Sequence, residues 1–226
     1  MCDDGVTGCI SIQLSDARNS PRSLGTGASG SPQRSAWVGL AALVFSALYL
    51  LSDVIEAANG GFSRGQLWLT LVTEAAIPLF VVGLALAQGD RVGRAGRYGA
   101  AVYAYAYVFF TGTVVYALVD NTRDFAALEH DLNPWMTIHG ALMVLAGLSL
   151  GLATIRAAML PRWTGAVLML GVVLVSATRT APEVVQVLAA GVRDLGFAGM
   201  GVALFRGAGV PRLRRASGGS RRLGAV

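Results

Sequence analysis

Few side chains in this sequence could do chemistry, and most of them interrupt long apolar runs. Glu74 stands eight residues into a run that begins near residue 66, a depth of roughly 12 Å along a helix axis. Pro78 follows four residues later. A proline has no N–H, so the carbonyl of residue 74 loses its helical partner and the helix bends there. A carboxyl group and a free carbonyl then share one turn. Hydrocarbon does not tolerate that pair, so this face has to look into a bundle. Asp53 and Glu56 are three apart and share a helical face, with Asn59 as a third polar group. Interfacial water could equally wet that end of the run.

Arg193 and Asp194 sit near the middle of the last apolar run. Adjacent helical residues diverge by about 100°, which predicts separate environments for the two and no tight pair. Arg193 lies about ten residues from the start of its run, roughly 15 Å deep. That depth matches Glu74 to within a turn and predicts an ion pair or a water-bridged contact between them. His139 lies near one end of its run. An imidazole titrates near physiological pH and could relay protons, although a lone histidine also serves as a hydrogen-bonded structural residue. A third run carries Tyr103, Tyr105, Tyr107, Thr111, Thr113 and Tyr116. Tyr103 shares a face with Tyr107, and Thr113 with Tyr116. The candidate acid–base groups are therefore Glu74, Asp53 and His139. The candidate ligand contacts are Glu56, Tyr107, Tyr116, Arg193 and Asp194.

The elements that must hold these groups follow from composition. Of 226 residues, 54 % are hydrophobic and only 14 % charged, against about 25 % charged in an ordinary soluble domain. Such a chain cannot cover a globule with charge, and it is too apolar for overall disorder. Six apolar runs stand out, at about 36–58, 66–88, 98–119, 134–156, 162–179 and 183–206. A helix needs about 20 residues to cross the hydrocarbon, and only helices satisfy their own backbone there over such runs. The fold expected is an all-α, polytopic membrane bundle of six transmembrane helices over 35–207. Small-residue spacings, Gly147 to Gly151 and Gly196, Gly199 and Gly201, predict close helix approaches.

All 18 basic residues are Arg. With the N-terminus placed in the cytoplasm, fourteen fall in cytoplasmic segments and only Arg64, Arg123 and Arg179 in outer ones. This positive-inside pattern predicts both termini inside and an even number of crossings. The net charge of +5 does not gather on one basic face, so lipid head groups rather than nucleic acid are the expected partners. Trp37 and Trp163 fall at inner ends and Trp68 and Trp135 at outer ends, as interfacial anchors do. Residues 1–34 and 208–226 contain no apolar run and read as disordered cytoplasmic tails, the second basic. Cys2 and Cys9 lack the spacing of a zinc site, and no cofactor is implied.

The inner loop Arg156-Ala-Ala-Met-Leu-Pro-Arg-Trp163, with Gly151 before it and Gly165 after it, resembles that of small six-helix bacterial membrane proteins of unknown function. The resemblance covers 36–206 in layout but only this loop in motif. It implies topology and a bacterial cytoplasmic membrane, and no activity.

Asp53, Glu56, Glu74, Tyr116, Asp120, His139 and Arg179 all map to the outer half of the bundle. That asymmetry predicts a polar cavity open outward and closed toward the cytoplasm. It would bind a small amphipathic or lipid-like ligand. Alternatively it would house an acid–base enzyme acting on an isoprenoid or other lipid, with Glu74 or Asp53 as acid and His139 or Tyr116 as relay. A proton-coupled transporter is a third possibility, disfavoured by the lack of an internal repeat.

Overall fold

A computed structural model describes residues 32–209. They form α1 (Pro32–Asn59), α2 (Arg64–Ala87), α3 (Gly93–Asp120), α4 (Phe125–Leu132), α5 (Trp135–Ala157), α6 (Arg162–Ala177) and α7 (Glu183–Gly209), with a short 3-10 turn before α3. No strand occurs among the described residues. The helices overlay the six apolar runs, with α4 as an addition. The tails expected at 1–34 and 208–226 fall outside the described residues, as do Cys2 and Cys9, except that residues 32–34 and 208–209 are helical.

Five helices (α1, α2, α3, α5 and α7) are long and apolar enough to cross a membrane. α6 has 16 residues. Each long helix packs on its sequence neighbour, and α7 returns to α1, so α1, α2, α3, α5, α6 and α7 close a ring. The ring is apolar on its outside: Leu79 is 76 % exposed and Val119 78 % exposed, while Gln66, Thr73, Glu74 and Arg193 are buried. Water would penalise that outer surface, and hydrocarbon favours it. This is the surface of a multi-pass membrane protein.

Inside, the arginine-rich half of the ring is filled. Leu84, Leu150, Leu168 and Met200 are fully buried there. Phe197 stacks edge-on against Phe80 and Tyr103, with ring centroids 5.6 Å apart in both pairs. The backbones approach closely where side chains vanish. A Cβ on Gly39 would meet the Gly201 carbonyl oxygen at 2.5 Å, and one on Gly201 would meet that of Gly39 at 2.5 Å. Gly151 and Gly165 are paired in the same reciprocal way between α5 and α6.

The other end is shaped by its connections. α1 stops where Gly60 takes a left-handed φ of 65°. Ser63 then caps α2, its hydroxyl accepting from the Gln66 N–H. α4 lies in the loop between α3 and α5. Asp124 caps it by accepting from the Ala127 N–H at 2.8 Å, and Leu128 buries itself against Leu67, Val114 and Ala117. That backbone bond and the Arg123 guanidinium hold the Asp124 carboxyl below the usual carboxylate range. Asp124→Ala should therefore remove about 1 kcal/mol of cap stability. Because the folded pKa is the lower one, the contribution is complete above the ordinary value near ~3.9 and fades as pH falls through the lowered value. Amide exchange of Phe125–Leu132 in wild type and variant checks this. Equal protection at neutral pH would refute the cap.

Candidate functional site: a polar cavity at the α4 end

A cavity of about 230 Å³ lies inside the ring at the α4 end, with wall residues from all seven helices. That volume holds several waters at about 30 Å³ each. Its floor is aromatic, with Tyr107 over the Tyr103–Phe197 stack. Asp53, Glu56, Glu74, Tyr107 and Arg193 line it.

Glu74 is buried, 5 % exposed. One carboxyl oxygen accepts a hydrogen bond of 2.8 Å from the Tyr49 hydroxyl, and the other has no donor among the described residues. The face of the same Tyr49 ring lies under the Arg193 guanidinium, 4.9 Å from centroid to Cζ. The predicted direct ion pair between Glu74 and Arg193 does not form. The tyrosine stands between them, giving its hydroxyl to the anion and its π face to the cation.

Arg193 instead pairs with its neighbour. Its Nε donates to Asp194 Oδ1 at 2.9 Å, with both residues buried. The expectation of separate environments is thus corrected. Side chains 100° apart can still meet when one is as long as arginine, and in an apolar interior the nearest carboxylate wins. The backbone of Arg193 lies directly against Gly171 of α6, where a Cβ would collide. A second polar cluster joins α1 to α2. Gln66 Nε2 donates to Thr70 Oγ1 at 2.9 Å, to Ser52 Oγ at 3.1 Å and to Glu56 at 3.3 Å.

Three candidates lie outside the cavity wall: Asp194, spent on Arg193, and two further residues. His139 is buried but does not line the cavity; it stacks on Phe109, and its ring nitrogens meet the Trp135 carbonyl and the Tyr105 hydroxyl. Tyr116 is turned outward, 37 % exposed, while Thr113 on the preceding turn lines the wall. The residues they would have served are met by others. Tyr49, Gln66 and Thr70 carry the internal polar contacts, and Arg179, at the mouth, is ion-paired with Glu129 of α4.

Tyr49→Phe removes the only donor to Glu74 among the described residues. It should lower stability by about 1–3 kcal/mol, the cost of an unsatisfied buried acceptor. Reversible unfolding in mixed micelles measures this, and an unchanged midpoint would show that the bond contributes nothing.

Fold and site together define an all-α, membrane-type bundle with a polar cavity at one end. No family model, curated protein or solved structure matches the chain, so the site itself carries the functional argument.

Proposed function

We propose that the chain is a six-pass protein of a bacterial cytoplasmic membrane, with both termini cytoplasmic, that binds a small amphipathic or lipid-like molecule in the cavity at the α4 end. The observation carrying this reading is the cavity itself. Glu74, Gln66 and Arg193 line it, and each keeps a buried polar atom with no partner among the described residues. Buried unpaired polar atoms cost about 1–3 kcal/mol each, and a bound molecule relieves that cost. Six crossings are supported by the place of α6 in the ring, between two long helices. The Arg count supports the orientation, with lipid head groups as partners at the arginine-rich end. The R-x-x-x-L-P-R-W resemblance agrees with this topology.

The test is mass spectrometry of the full chain released gently from its native membrane. Wild type should carry a small amphipathic molecule that Val144→Phe, which fills the wall, loses. If both variants emerge equally empty or equally loaded, the reading fails. The acid–base alternative is favoured by one observation, the Tyr49–Glu74 contact at the cavity wall. In that case Tyr49 takes the relay role, and Glu74→Gln should change the membrane lipid profile. The aromatic floor weighs against a transport path.

A further inference from the structure

We infer that the molecule held in this cavity is an organic cation: a small amphiphile whose head is a quaternary or protonated amine. This rests on the binding reading above and adds the charge of the occupant. Four carboxylates line the wall: Asp53, Glu56, Glu74 and Glu183. Among the described residues none of them is engaged in an ion pair. The two arginines of the wall do not neutralise them. Arg179 is taken by Glu129, and Arg193 by Asp194 at 2.9 Å. Neither Glu129 nor Asp194 lines the cavity. The arginines thus bring their own counter-charges, and the wall is left with a formal excess of negative charge.

A separate observation points the same way. Gln66, 3 % exposed, spends its amide N–H groups on Ser52, Thr70 and Glu56 and leaves its carbonyl oxygen without a donor. The second oxygen of Glu74 is also without a donor. An occupant therefore meets two open acceptors and one open donor, the second guanidinium nitrogen of Arg193, whose charge Asp194 already balances. An anionic head would be repelled by the wall, and a neutral one would leave its charge unbalanced.

The aromatic lining says what kind of cation fits. Tyr49, Tyr107 and Phe110 line the inner wall, and Phe62 and Phe125 line it further out. Ring faces attract diffuse organic cations when water is excluded. The chain already demonstrates that chemistry at this spot, because the Arg193 guanidinium rests on Tyr49. A bare metal ion asks for several ligands converging on one point. Among the described residues no three His, Cys, Asp or Glu side chains are so placed. The carboxylates are spread round the wall, as suits a bulky cation.

The test uses the full chain in a non-ionic maltoside micelle and three probes sharing one tail: hexyltrimethylammonium, 1-hexanol and hexanesulfonate. Calorimetric titration should show the ammonium binding about tenfold or more tightly than the other two. Glu74→Gln and Asp53→Asn should each weaken the ammonium about tenfold and leave 1-hexanol unchanged. Both are near-isosteric. If one fails to elute as wild type does, the other and the head-group series still decide. Hexanol or hexanesulfonate binding as tightly as the ammonium overturns the charge assignment while leaving the cavity reading intact. Ammonium binding unaffected by a folded variant also overturns it. Failure of all three probes to bind overturns both.

Discussion

Replacing Arg193 by Met should destabilise the protein by about 3–5 kcal/mol, and adding Asp194→Leu should restore most of that loss. Arg193 and Asp194 are 4 % and 5 % exposed, and both belong to α7. Arg193→Met strands the Asp194 carboxylate, which does not line the cavity and has no other cation paired with it among the described residues. Removing both removes the problem along with the bond, and apolar groups of similar volume fill the space. Arg193→Met also uncovers the Tyr49 ring, so the single variant loses a cation–π contact as well. Unfolding of both variants in mixed micelles gives the answer. A double variant as unstable as the single would mean that the pair is not a self-contained unit.

Gly201→Ala should lower stability by about 1–3 kcal/mol although it adds a single methyl group. The new Cβ would stand 2.5 Å from the Gly39 carbonyl oxygen and 3.0 Å from the Leu43 nitrogen. Both are backbone atoms, which cannot swing aside. α1 and α7 must separate, and with little hydrophobic drive between helices in lipid, lost contact is not regained elsewhere. Gly112→Ala is the control. Nothing lies within 4 Å of its added Cβ, so the better helix former should be neutral or stabilising by up to about 1 kcal/mol. Equal effects at the two positions would refute the close approach of α1 and α7.

The runs of apolar residues foretold where helices form, because length and continuity alone decide that in lipid. The inward aspect of Glu74 was legible too, since one carboxyl beside Pro78 has nowhere else to go. The eight-residue α4 was missed, although Asp124 before Phe125, Leu128 and Leu132 is a cap followed by a small apolar face. Tyr49 was passed over because only the polar groups at the outer end of α1, Asp53, Glu56 and Asn59, were weighed. Its signal was present: residues 49, 53 and 56 share one face. Gln66, Thr70 and Glu74 likewise recur every fourth residue along α2. His139 and Tyr116 were placed by depth along the axis, which says nothing about rotation around it. The Arg193–Asp194 bond was invisible because helix geometry constrains Cβ directions, not the reach of a long flexible arm.

The short α6 has a consequence for traffic. Sixteen residues span about 24 Å, against roughly 30 Å of hydrocarbon. A helix that short beside five long ones leaves the ring shallow at that point, a notch in its apolar outer wall. The C-terminal end of α6 runs into Thr178 and Arg179, both in the cavity wall. On the proposal that the cavity holds an amphiphile, this notch is its sideways door: the tail never leaves oil while the head exchanges phosphate neighbours for carboxylates.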